Sequence, residues 1–439
     1  MKTDVEALRA RLAASLRGDA PAAAEGRVVG VRGATVRAVA PGARVGDAVR
    51  VARGVSGALE AEVAGFEEGV AVLVPLGDTA GVGLDDVVTV ASAPALRCGE
   101  GVLGRVLDGR GEPVDGRGEL SGELVAWPWD RPAPAAMRRR RVEAALPLGV
   151  RAIDGLATLG EGQRVGVFAG PGAGKSALLG QAARQADVDV AVVALVGERG
   201  REVRDFVEGA LGEAGMRRTC VVAATSDEAP ALRVRAARTA LAVAEYFRER
   251  GQRVLLLVDS LTRVARAQRD VGLAAGEAPV RRAYPPSVFT LLPRLVERMG
   301  PGERGSITAL LTVLVEGDGR DDPIAEEARG LLDGHLVLDA SLGARGRWPA
   351  LDPVASLSRL MGAVTTEPHR VAAARVRQWL AALDGARDLL AMGAYAPGRD
   401  RVLDEAMARR ERIEAFLRQG AQEASALEAT REALVALAR

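Results

Sequence analysis

At 439 residues the chain is too long for one small binding module and provides for roughly two to four domains of ordinary size. Lys plus Arg (59) balance Asp plus Glu (58), and the formal charge of +1 excludes the global attraction of a dedicated nucleic-acid or membrane-surface protein. Hydrophobic residues make up 48% and aromatics only 3%, so the core is built from Ala, Val and Leu and few rings remain for stacking on bases.

Met1, Lys2, Thr3 and Asp4 precede no signal-like apolar region, and no apolar run reaches the roughly 18 residues of a membrane span, so a cytosolic chain is expected. Val5, Leu8, Leu12 and Leu16 recur at helical spacing and predict an N-terminal helix, folded back on the body or docking a partner. Between 27 and 95, Val-rich runs separated by Gly, Pro and Asp at about ten-residue intervals predict a small antiparallel barrel or sandwich. Gly- and Asp-rich residues 103–118 and Pro-rich residues 127–134 read as a connector. The Arg run at 138–141 reads as solvated linker charge, with a phosphate-binding patch as the alternative.

From 146 to 363, apolar strand runs at 165–169, 188–196, 219–223, 254–258 and 307–315 alternate with helical patterns, which predicts a parallel sheet flanked by helices, an α/β fold. Past Glu367 the text is Ala, Arg, Leu and Glu with helical stripes such as Val376, Leu380, Leu383 and Ile413, Phe416, Leu417, predicting a helical C-terminal domain.

The chemistry concentrates in three strand ends. Ala169, Gly170, Pro171, Gly172, Ala173, Gly174, Lys175 and Ser176 fit the P-loop pattern, preceded by an apolar strand and followed by a helix-competent stretch. Glycines let consecutive backbone N–H groups curl around phosphate oxygens; Lys175 reaches the β and γ phosphates, and the Ser176 hydroxyl ligates Mg²⁺. Among the 59 basic residues Lys occurs only at positions 2 and 175, so Lys175 stands where a compact ammonium is needed rather than a planar fork. The strand at 254–258 ends in Asp259, placed to hold the magnesium shell. The strand at 193–196 leads into Gly197 and Glu198, the candidate base or water-orienting carboxylate; Arg199 is given a supporting role, while Arg199, Arg201 and Glu202 read equally well as a surface charge ladder. Cys98, Cys220, His335 and His369 are too few for a disulfide scaffold or a four-ligand zinc site.

Together with Gly104-Arg105-Val106-Leu107-Asp108-Gly109, Tyr284-Pro285-Pro286-Ser287, Glu316-Gly317-Asp318, Leu332-Asp333-Gly334-His335 and Ser356-Leu357-Ser358-Arg359, these motifs resemble the type III secretion ATPases, flagellar and injectisome branches alike. Those are relatives of the rotary ATP synthase catalytic subunit. The resemblance covers about 27 to 420 and implies a small N-terminal β-barrel (27–95) behind a helix and tether (1–26), a RecA-like P-loop domain (96–365) and a helical domain (366–439). It implies a homohexameric ring with Arg359 as the finger reaching the neighbour's ATP·Mg²⁺, and Trp348 in the place of a Tyr that usually lies against adenine. It further implies a stator-type regulator at the N-terminal helix, secretion chaperones and cargo, and a position peripheral to the membrane export apparatus. Residues 270–283, a Gly- and Ala-rich loop with Arg281 and Arg282, would face the central pore and a coiled-coil stalk protein. The chain departs from the family pattern at Ala177 and at residues 319–323. A non-catalytic nucleotide-binding subunit, a rotary ATP synthase subunit and an RNA translocase are the alternatives; Glu198 with Lys175 speaks against the first, and near-neutral charge with scarce aromatics against the last.

Overall fold

The computed structural model describes residues 25–54, 57–91, 95–315 and 322–439. The N-terminal helix expected at 5–16 and Glu316-Gly317-Asp318 lie outside the described residues. Strands β1 (Glu25–Arg32), β2 (Thr35–Val39), β3 (Ala48–Ala52), β4 (Ala58–Glu67), β5 (Val70–Pro75) and β6 (Val87–Val90) close a barrel in the order β1-β2-β5-β4-β3-β6. Successive side chains of a strand point to opposite faces, so Val28, Val36, Val49, Val51, Val63, Leu73 and Val88 fill its interior while charged neighbours face water. Glu60 and Glu62 on β4 anchor the barrel to the body: Arg110 Nε donates to Glu60 at 3.2 Å and Arg235 Nη2 to Glu62 at 2.8 Å.

The stretch expected to be a plain connector is structured. β7 (Leu96–Cys98) and β9 (Val125–Trp127) form a two-stranded ribbon, and β8 (Val106–Leu107) joins the edge of the main sheet beside the strand Thr219–Thr225. Arg105 Nε and Nη2 donate to the two oxygens of Asp115 at 2.7 and 2.8 Å, and these hydrogen bonds hold the Asp115 carboxyl down to about 2. The Arg run is also tied down: Arg138 pairs with Glu303, Arg139 with Glu297 and Arg140 with Glu161.

The main sheet takes β10 (Arg164–Ala169), β11 (Val190–Glu198), β12 (Thr219–Thr225), β13 (Arg253–Asp259), β14 (Gly300–Pro301), β15 (Ser306–Leu314), β16 (Gly334–Leu338) and β17 (Leu351–Ser358). Among the described residues its order is β17-β16-β10-β15-β13-β11-β12-β8, with β14 paired to the start of β15. The strands run parallel except β14 and the edge strand β17, which is antiparallel to β16. β11, β12, β13 and β15 are apolar on both faces, the composition that a sheet covered on two sides requires. Helices Pro230–Glu249, Leu261–Ala274 and Pro286–Arg298 cover one face. Helix Lys175–Gln185 lies on the other, and the C-terminal helices Glu367–Gly385, Arg401–Leu417 and Leu427–Ala438 join the same core through Val376, Trp379, Ile413, Phe416, Leu434 and Leu437, packed on helix Arg151–Leu156 and, through Glu367–Gly385, on β17. Helix Leu261–Ala274 continues through the first five residues of the segment expected to be the pore loop, which leaves a loop only from residue 275. Among the described residues no helix is long and apolar enough to cross a membrane.

Candidate nucleotide site

Parallel strands deliver their carboxyl ends to one edge of a sheet, where ligands of open α/β folds bind. β10 ends at Ala169, and residues 170–174 turn into helix Lys175–Gln185. Gly172 and Gly174 lie at φ +74° and +78°, a left-handed backbone that a side chain resists, so the text Gly-x-Gly-Lys is what this turn demands. Lys175 opens the helix and Ser176 follows on its first turn. The helix N-terminus, carrying unpaired N–H groups, faces the loop.

β13 ends beside β11 with Leu195 opposite Asp259, and β11 runs on to Glu198, so both acids leave the sheet at the edge occupied by the P-loop. Lys175 Nζ donates to Asp259 Oδ1 at 2.5 Å and to Glu198 Oε1 at 3.3 Å. Asp259 is 2% and Glu198 6% exposed, so the ammonium bridges two carboxylates that are nearly out of water. The sequence thus names three groups that the fold brings within one ion-pair cluster.

Two members of the cluster were not legible. Arg263 Nη2 donates to Glu198 Oε2 at 3.0 Å while Nη1 donates to the Gly197 carbonyl, fixing the acid against its own strand. Arg263 lies on the first turn of the helix that Ser260 caps, four residues past Asp259; the Asp-Ser-x-x-Arg spacing was the available signal. Thr312 Oγ1 donates to Asp259 Oδ1 at 2.8 Å from the neighbouring strand, where β13 and β15 pair Val258 with Leu311. A Thr near the carboxyl end of the largely apolar text of β15, the second after Thr308, was its trace in the sequence.

Burial pushes the Glu198 carboxyl up to about 7; its hydrogen bond with Glu202 and the charge of Asp259 push the same way, and Lys175 and Arg263 pull down. Glu202, read as part of a surface ladder, is the acceptor in that pair and lies below the usual carboxylate range. The other proposed groups sit elsewhere. The Arg199 side chain is 77% exposed and pairs with Glu202 at 3.8 Å, outside the Lys175 cluster. Arg359 follows β17, whose Ser358 pairs with Gly334 at the start of β16, whereas the P-loop edge is marked by Leu338 against Ala169. Arg359 therefore lies at the opposite end of the sheet from its own P-loop, with Nη2 on the Arg329 carbonyl at 3.1 Å. Trp348 lies over the P-loop: a Cβ at Gly174 would sit 2.4 Å from its ring, and the ring remains 43% exposed.

A cradle of backbone donors, one ammonium, a buried strand-end carboxylate and a second carboxylate of raised affinity for protons are the parts that bind a polyphosphate and order a water beside it. The nucleotide-binding domain of the ATP synthase alpha/beta family matches residues 149–358, and the C-terminal domain of the T3SS EscN ATPase matches residues 365–436. The chain is 50% identical over 407 residues to a type 3 secretion system ATPase of Sinorhizobium fredii, covering 92% of this chain and 90% of that one. It is 45% identical over 416 residues to the flagellum-specific ATP synthase of Bacillus subtilis, covering 94% of each. The structure of the assembled ATPase EscN from the enteropathogenic E. coli type III secretion system superposes with a TM-score of 0.89 at 40% identity, over 94% of this chain and 100% of that one. The barrel, the ATP synthase-like sheet and the helical C-terminal region all have their counterparts there, and the chain belongs to the type III secretion and flagellar export ATPases.

Proposed function

We propose that this ATPase works as a homohexameric ring with sites between subunits, energising type III protein export by releasing chaperones from cargo and unfolding it at the cytoplasmic face of the inner membrane. The observation that carries the reading is the division of the catalytic set: Lys175, Asp259 and Glu198 converge within 3.3 Å, and Arg359 lies at the far end of the same sheet. A guanidinium that cannot reach its own P-loop serves a neighbour's, as rings of head-to-tail subunits allow.

ATP enters over residues 169–176, its adenine against Trp348 and its phosphates on the loop N–H groups. Lys175 exchanges its two carboxylate partners for the β and γ phosphates. Glu198, held by Arg263, then accepts a hydrogen bond from the attacking water and orients it in line with the leaving oxygen. Arg359 of the adjoining subunit spreads positive charge over the transferring phosphoryl, and Arg199 supports the rim. The Ser176 hydroxyl and the Asp259 carboxylate suit Mg²⁺, a hard cation that takes few protein oxygens and keeps waters and phosphates as its other ligands. Held by Ser176 and Asp259, the ion would supply positive charge to the phosphates during transfer.

The match of residues 365–436 to the export-type C-terminal domain favours export over rotary synthesis. EscN has been solved with its central stalk EscO, which supports a coiled-coil stalk contact at the loop beyond residue 275. A stator-type regulator on the segment 5–16, expected from its sequence to be helical, completes the reading. Turnover per subunit should rise with protein concentration in step with the appearance of six-subunit mass; constant turnover in a protein that stays monomeric would overturn the ring.

A further inference from the structure

We infer that Gly343 is a positioning residue for nucleotide binding, kept free of a side chain so that the indole of Trp348 can lie flat at the adenine subsite. This rests on the reading of Trp348 as the adenine platform.

Gly343 lies within the short helix Ala340–Ala344, whose first turn is capped by Asp339 on the Ser341 N–H. Its backbone does not call for glycine: Gly346 further on adopts φ +75°, but Gly343 is not among the positive-φ residues. Glycine within a helix is unfavourable relative to alanine, and the flanking text is itself Ala-rich. What does call for it is the ring above. A Cβ at 343 would meet the indole Cη2 and Cζ2 at 2.7 Å each and Cε2 at 3.3 Å. On the opposite end of the same six-membered ring, a Cβ at Gly174 would meet Cζ3 at 2.4 Å and Cε3 at 3.1 Å.

The benzo ring of Trp348 therefore packs closely against two bare backbones, one from the P-loop and one from the helix Ala340–Ala344. The main chain of Trp348 is also fixed, its carbonyl accepting from the Gln419 N–H at 2.8 Å. With the main chain held, the exposed ring answers a methyl at 343 by moving away from it, and the face offered to a base moves with it. A Phe ring in place of the indole lacks the fused second ring that makes the contact with 343. The pair Gly343 and Trp348 thus sets the height of the stacking face above the phosphate loop, and with it selectivity for a purine over a bare polyphosphate.

The test uses the full-length protein and four forms: wild type, Gly343→Ala, Trp348→Phe and the double variant, with Trp348→Ala as the control on the underlying reading. KM for ATP, kcat, and inhibition by inorganic tripolyphosphate are measured. Gly343→Ala should raise KM for ATP about three- to tenfold, the range of a lost aromatic stack, with kcat within about twofold. Inhibition by tripolyphosphate, which has no base to stack, should be unchanged. Adding Trp348→Phe should bring KM back to that of the Trp348→Phe protein alone. An unchanged KM in Gly343→Ala, equal losses for ATP and tripolyphosphate, or an additive double variant would overturn the inference. If Trp348→Ala binds ATP as tightly as wild type, the adenine-platform reading itself fails; if it binds weakly and Gly343→Ala does not, only the role of Gly343 fails.

Discussion

The two ends of the main sheet are built on opposite principles. At the P-loop edge every charge is matched within the chain: Lys175 between Asp259 and Glu198, Glu198 gripped by Arg263, Asp259 held by Thr312. At the far end Arg359 donates to a carbonyl, that of Arg329. Buried ion pairs are costly to desolvate and need partners on both sides, and the first edge pairs both of its buried carboxylates, leaving only Arg263 Nε of the cluster without an acceptor among the described residues. A cation resting on a carbonyl keeps most of its capacity for an anion brought by something else. In the proposed ring, this contrast is that of a site of which each chain holds two unequal parts.

The comparison can be broken from either end. Arg359→Ala should lower turnover by about 10³- to 10⁵-fold with nucleotide affinity retained, measured by steady-state hydrolysis and equilibrium binding; equal loss of both would place Arg359 in its own site. Glu198→Gln should cost about 10²- to 10⁴-fold in kcat with binding intact, read out by single-turnover hydrolysis. The raised Glu198 carboxyl gives this loss a pH signature. Below about 7 the group holds its proton and cannot orient water as a carboxylate, so kcat/KM of the wild type should climb as pH rises through about 7. Glu202→Gln removes a partner that favours the protonated form and should move that limb to lower pH. The smallest effect falls on Thr312. Thr312→Val leaves Asp259 without its hydroxyl donor and should reduce turnover by roughly tenfold, recovered by Thr312→Ser.

What the sequence disclosed follows the range of the forces involved. The P-loop was legible because its requirements are local: two left-handed glycines, a strand before and a helix after, all within eight residues. Asp259 and Glu198 were legible because parallel strands of a covered sheet must start and stop together. Arg263 and Thr312 were not, since what makes them functional is a neighbour on another strand, and nothing within their own segments needs them. β8 is two residues long and reads as connector text until β12 pairs with it. β17 carries Pro353, which argues against a central strand and is tolerated at the edge where the chain places it. The Arg run at 138–141 is largely exposed, as read, but the ion pairs of Arg138, Arg139 and Arg140 were not legible because Glu303, Glu297 and Glu161 are far away in sequence.

The division of one site between two chains is tested most directly by mixing Lys175→Ala protein with Arg359→Ala protein. Each is inactive alone, but a pocket made of an intact P-loop from one and an intact Arg359 from the other has every group. Random assembly at equal concentrations forms such pockets at about one site in four, so ATP hydrolysis should return on mixing. Silence at every ratio, in particles shown to contain both proteins, would contradict the account.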